Sequence, residues 1–99
     1  MSRELIDLSG KKILLLGGHA LMIHLIQKAH EMGIYTIVTD YIPNAPAKKY
    51  ADEAYDISTL DVNALVQLAK EKEVDGVFTS SVLISYASSA YFFAGALGI

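Results

Sequence analysis

Two adjacent glycines, Gly17 and Gly18, follow the apolar run KILLL and precede a stretch with helical spacing. A glycine pair at a strand-to-helix turn lets the backbone approach a ligand closely, and the N–H groups of the following helix favour an anion there. His19 sits in the same turn, where a polar ligand could meet its imidazole. Asp40 ends the next β-rich run, 23 residues after Gly17. That is where a dinucleotide-binding fold places the acid that holds a ribose hydroxyl. Each feature also has a plain structural use. The glycines could serve a tight turn, His19 could be an exposed turn residue, and Asp40 could bond the backbone of its own loop as an Asx turn. Spacing alone does not choose between these readings.

Several chemistries are excluded at once. With Gly17 as the first glycine of a G-x-G-x-x-G fingerprint, the second and third would fall at His19 and Met22, and both fail. The Lys-Ser/Thr ending of a P-loop is missing as well. The chain has no cysteine, which removes zinc ribbons, disulfide scaffolds and catalytic thiols. His24 and His30 are six positions apart on one helix and face different sides, so no metal centre is expected from them. Ser80, Ser81 and Ser85 have no His-Asp partners at a readable spacing, and G-x-S-x-G is absent. No catalytic residue is assigned.

The elements that must position these residues alternate regularly. Residues 12–16 read as a strand buried on both faces, the surest strand in the chain. Leu21, Met22, Leu25, Ile26 and Ala29 then recur at three- and four-residue spacing over 20–32, and Gly33 supplies a left-handed stop. Residues 35–39 (YTIVT) read as a second strand. Pro43 and Pro46 stiffen the loop that follows it. One helical turn is expected over 47–51 and a short third strand over 53–57. Asp61 is placed to cap a helix ending near Glu73. Residues 76–79 (GVFT) make a fourth strand, and 81–97 a last helix whose aromatics, Tyr86 to Phe93, fall on several faces. Strands separated by helical crossovers imply an α/β, Rossmann-like three-layer sandwich with a parallel sheet of about four strands. Ligands of such sheets gather beyond the carboxyl ends of the strands, where the strand order reverses. The loops to inspect are therefore those after residues 16, 39 and 79.

Composition sets the outer bounds. Ninety-nine residues, 53% of them hydrophobic and 19% charged, suit one domain with one core. We divide the chain into a leader, 1–10, and a domain, 11–99. The net charge of -3 is uneven: residues 1–50 carry six Lys/Arg against four Asp/Glu, and residues 51–99 two against seven. Neither half has the basic stripe of a nucleic-acid binder, so no such partner is expected. The first ten residues mix charges without an apolar h-region, which is unlike a signal peptide. From Gly76 to Ile99 there are 24 residues without a charge, long enough to cross a bilayer. Six of them are Ser or Thr and no basic anchor follows, so a buried strand and helix fit better than a membrane span. With no Cys and no signal-peptide pattern in the first ten residues, a cytoplasmic location is expected.

Taken together, Gly17-Gly18, Asp40, the segment Asn44-Ala45-Pro46-Ala47 and Ala51-Asp52 before a strand resemble the opening of ATP-grasp ligases. This part is called the pre-ATP-grasp or biotin-carboxylase N-terminal-like domain, and the likeness covers roughly residues 11–79. The nearest types are the carbamoyl-phosphate-synthase-like and purine-biosynthetic ligases. The resemblance implies a parent that activates a carboxylate with ATP as an acyl phosphate and passes it to an amine. ATP and Mg²⁺ would bind mainly in later domains, so no cofactor is expected in this chain. It implies a substrate-side role here: Gly17, Gly18, His19, Ala20 and Leu21 border a small-molecule acceptor, and Asp40 shapes the adjoining loop. His19 stands where many relatives keep glycine or a small polar residue, and Ser80-Ser81 where purine-biosynthetic relatives commonly carry glutamate. The acceptor is therefore left open.

On this reading the chain ends before the family's next strand, the ATP-grasp domains are its missing partners, and it is not catalytic alone. An uncovered last helix would favour homo-oligomers. Two rivals from other classes stand beside it. One is a free-standing Rossmann-like module holding a nucleotide or phosphometabolite at Gly17-Gly18 and Asp40. The other is a structural, self-associating domain whose glycines serve packing alone.

Overall fold

The structure, a computed structural model, describes residues 9–79. The last helix expected over 81–97, its aromatic cluster and Ser80, Ser81 and Ser85 lie outside the described residues, as does most of the leader. Within them the elements run β1 (Lys12–Leu16), α1 (Leu21–Glu31), β2 (Tyr35–Thr39), a 3-10 turn (Pro46–Lys49), β3 (Glu53–Tyr55), α2 (Val62–Lys72) and β4 (Gly76–Thr79). Three strands match the sequence expectation residue for residue. The third is shorter than the expected 53–57. The helical turn starts one residue early, at Pro46, because proline is pre-set for the first position of a helical turn.

All strands are parallel, in the order β3-β2-β1-β4. The order grows outward from β1 to β3 and then returns to place β4 on the other side of β1. The reversal therefore lies between β1 and β4, beyond Leu16 and Thr79. Alternation along β1 builds two cores. Leu14 and Leu16 join Ile37, Leu65, Leu68 and Ala69 under α2. Leu15 joins Val38, Met22, Ile26 and Ala47 under α1 and the 3-10 turn. A strand buried on both faces has to be apolar throughout, which is why KILLL carries no polar residue after Lys12. Ala47 is fully buried. One short turn thus does the covering that a longer crossover helix would do, and it stays close to the glycine turn.

Ends are fixed by local chemistry. Asp61 caps α2, its Oδ1 accepting Ala64 N–H at 3.2 Å, as its position in the sequence predicts. α2 stops at Glu73, which takes the left-handed conformation at φ 56° without being glycine. α1 stops at Gly33, φ 77°. The far end of α1 is hooked to the sheet through buried Thr36. Asp52 Oδ2 accepts the Thr36 N–H at 2.7 Å and the Thr36 hydroxyl at 3.1 Å, and stands 3.0 Å from His30 Nε2. Burial pushes the Asp52 carboxyl up, but the bonds from Thr36 and His30 outweigh it and hold the group below its ordinary value.

A second polar cluster sits beside the α2 core. Glu53 accepts the hydroxyls of Tyr35 at 2.6 Å and Tyr55 at 2.5 Å, and Lys72 Nζ lies 3.0 Å away. The bonds from Tyr35, Tyr55 and Lys72 hold the Glu53 carboxyl down at about 2. The same bond to Glu53 raises the Tyr35 phenol. The cluster pins the last turn of α2 to β2 and β3.

Candidate functional site

The carboxyl ends of β1 and β2 carry the sequence-selected residues, and the two glycines there differ in purpose. Gly17 has φ 110°, a conformation costly for any residue with a Cβ, and an added Cβ would meet nothing nearer than His19 at 3.7 Å. Gly18 has no such φ but no room either: a Cβ there would lie 3.0 Å from Ala45 Cβ and 3.2 Å from Val38 Cγ1. Gly17 makes the bend and Gly18 the close approach. Both are buried, whereas His19, Ala20 and Leu21 are exposed.

The turn is tied down through its backbone. Gly17 N–H donates to Thr39 C=O at 2.8 Å, and Gly18 N–H donates to Asp40 Oδ2 at 2.8 Å. Asp40 Oδ1 accepts Ile42 N–H at 2.9 Å, the Asx turn. Gly18 C=O accepts Ala47 N–H at 2.8 Å. The structure therefore joins Gly17, Gly18 and Asp40, and gives the acid to backbone N–H groups of two segments. Asp40 does form the Asx turn, and in addition it supports the glycine turn.

α1 begins differently from α2. Ala20 stands at its N-cap with no side-chain hydrogen bond, and its first turn holds no acidic residue. Met22 N–H and Ile23 N–H close 3-10 bonds to His19 C=O at 2.9 Å and Ala20 C=O at 3.0 Å. A helix start with no capping side chain, on the ligand-facing edge of a parallel sheet, is suited to receive a polar or anionic group. Leu21, in the first turn of α1, and Tyr41 and Ile42, in the loop after Asp40, are exposed apolar residues.

Sequence reasoning singled out the segment Asn44 to Ala47 but missed Lys48. The Lys48 ammonium donates to Asp40 C=O at 2.9 Å and to the Asp56 carboxylate. Its spacing of eight residues from each partner is the only trace in the sequence, and it is not a known local pattern. Beside it runs an open groove of about 590 Å³ lined by Pro43, Asn44, Ala45, Lys48, Lys49, Ala54 and Asp56. Among the described residues no group of three or more His, Asp or Glu side chains is placed to hold a metal ion. Among them, too, no helix is long and apolar enough to cross a membrane.

Comparison with known proteins agrees with this architecture. The family described as the ribonucleotide synthetase preATP-grasp domain matches residues 10–83. A formate-dependent phosphoribosylglycinamide formyltransferase from Francisella tularensis is 38% identical over 84 residues, covering 78% of this chain and 22% of that protein. The crystal structure of N5-carboxyaminoimidazole ribonucleotide synthetase from Thermotoga maritima is 33% identical with a TM-score of 0.63, over 71% of this chain and 19% of that one. An N5-carboxyaminoimidazole synthetase from Staphylococcus aureus, complexed with ADP, is 25% identical with a TM-score of 0.67, over 79% and 21%. The chain thus spans about a fifth of the length of these relatives. They are ribonucleotide enzymes, which is narrower than a carbamoyl-phosphate-synthase-like grouping. By the match over residues 10–83 and the identity to these relatives, the chain belongs to the ribonucleotide synthetase preATP-grasp domain family of the ATP-grasp ligases.

Proposed function

We propose that this chain is the substrate-side domain of an ATP-dependent ribonucleotide ligase, and that it binds a phosphoribosylamine-type acceptor at the turn from Gly17 to Leu21. The observation that carries this reading is the uncapped start of α1 on a glycine turn held rigid by Asp40 and Ala47. A backbone already held in place binds an anionic or carbonyl-bearing ligand without reorganising, which lowers the cost of binding. Leu21, Tyr41 and Ile42 would supply the apolar rim. The ribonucleotides in the relatives' names, phosphoribosylglycinamide and carboxyaminoimidazole ribonucleotide, share a phosphoribosyl group, and that group defines the class to test.

ATP and Mg²⁺ would supply phosphoryl transfer to the carboxylate, in parts of the ligase beyond this chain. On this reading the contribution of residues 17–21 is to bind and orient the acceptor. The rival in which Asp40 holds a ribose is weakened by geometry, because both carboxylate oxygens already accept backbone N–H groups.

The test is calorimetric titration of the chain with phosphoribosylglycinamide, NAD and ATP, with the Gly18 amide followed by NMR. Binding of the ribonucleotide with a shift at Gly18 is expected. Binding of NAD that disappears in Asp40→Ala would instead establish the free-standing nucleotide module.

A further inference from the structure

The bonds around Gly18 close into a ring. Gly18 N–H donates to Asp40 Oδ2, and Gly18 C=O accepts Ala47 N–H, each at 2.8 Å. Lys48, the next residue after Ala47, completes the circuit by donating from Nζ to Asp40 C=O at 2.9 Å. The N–H and the C=O of Gly18 are thus both held by one loop, and Lys48 ties the loop's end back to its beginning.

The burial of this lysine needs a reason. Its side chain is 8% exposed, although it sits in a four-residue turn beside an open groove. A lysine in such a place ordinarily keeps its ammonium in water, since desolvating a charge is costly. Its anionic partner, Asp56, is 62% exposed and could pair equally well with a lysine extended into solvent. Of its two bonds, the one to Asp40 C=O is part-buried and the one to Asp56 is exposed. Asp40 is the residue whose carboxylate orients Gly18.

We propose that Lys48 is a positioning residue for the ligand-facing turn: by fixing the Asp40 carbonyl it keeps the Asp40 carboxylate and Ala47 N–H on the Gly18 peptide. The proposal rests on the reading above that this turn borders the acceptor. Without the ammonium, the Asx turn to Ile42 survives, but the loop from residue 43 to 47 is free to lift from Gly18. The backbone leading into His19, Ala20 and Leu21 then loses its single orientation.

The test pairs binding with a local signal. Phosphoribosylglycinamide is titrated into the chain and its variants, and amide hydrogen exchange is measured at Gly18 relative to Ile37 in the core. Lys48→Met keeps the aliphatic stem and is expected to weaken binding about tenfold and to raise the Gly18/Ile37 exchange ratio by about as much. Lys48→Arg, which can still reach Asp40 C=O, is expected to recover most of both. A merely structural lysine would speed the two amides together and leave the ratio unchanged. Binding within twofold of wild type and an unchanged ratio in folded Lys48→Met overturn the proposal. If Lys48→Met does not fold, Asp56→Asn, which loosens the same ammonium from the exposed side, is expected to raise the ratio about threefold, and no change there is equally fatal. Failure of the wild-type chain to bind the ribonucleotide refutes the proposed function. The exchange ratio then still decides whether Lys48 holds the turn.

Discussion

Asp40 and Gly18, 22 residues apart, are joined by a hydrogen bond of 2.8 Å from the Gly18 N–H to the Asp40 carboxylate. Because the other carboxylate oxygen holds Ile42 N–H, one side chain fixes the turn after β1 and the loop after β2. Asp40→Ala leaves both N–H groups without their acceptor and is expected to cost about 2 to 3 kcal/mol of stability. Asp40→Asn keeps a single acceptor oxygen, so about half of that loss is expected. Urea midpoints of the two variants check the order; equal losses would show that only one of the two bonds matters.

The glycines predict different failures. Gly17→Ala forces a Cβ into φ 110°, where it meets His19 only at an ordinary contact distance of 3.7 Å, so the cost is conformational, about 1 to 2 kcal/mol. Gly18→Ala meets Ala45 and Val38 instead, an overpacking cost of about 1 to 3 kcal/mol. Only the second should be relieved by making room. Val38→Ala combined with Gly18→Ala is expected to be less destabilised than the sum of the single changes, and strict additivity in a double-mutant cycle would contradict the packing account.

Glu53 makes stability depend on acid. Its folded pKa of about 2 lies below the ordinary 4.5. The unfolded chain therefore takes up the proton first as pH falls. The contribution is fully present above pH 4.5 and is lost as pH falls towards 2. Asp52, also held low, acts in the same direction. Glu53→Gln is expected to flatten the melting temperature against pH across that window. An acid limb as steep as that of wild type would mean that other carboxylates carry the effect.

Helix ends offer a gain and a loss of similar size. Glu73 is left-handed at φ 56° without the freedom of glycine, so Glu73→Gly should stabilise by about 0.5 to 1 kcal/mol. Asp61→Ala removes the cap on Ala64 N–H and should destabilise by about 1 kcal/mol. Thermal melts of both variants read the opposite signs directly.

How much could be read in advance varies by element. KILLL and YTIVT were legible because a strand buried on both faces has no polar positions to confuse it. Asp61 was legible because a cap acts within three residues. β3 is shorter than its sequence pattern because Asp56 and Ile57 continue a plausible strand while only residues 53–55 find a partner in β2. Lys48 was invisible, since its two partners are joined to it only when β2 and β3 lie side by side.

Local order along the chain was therefore enough to determine the alternation of strands and helices, the parallel sheet and the glycine turn. Those properties depend on apolar periodicity and on backbone preferences that act over a few residues. The tertiary structure alone decided what Asp40 does, which glycine is needed for its φ and which for its missing Cβ, and that Lys48 belongs with them. Such roles depend on distances of about 3 Å between segments 8 to 22 residues apart, and folding sets those distances.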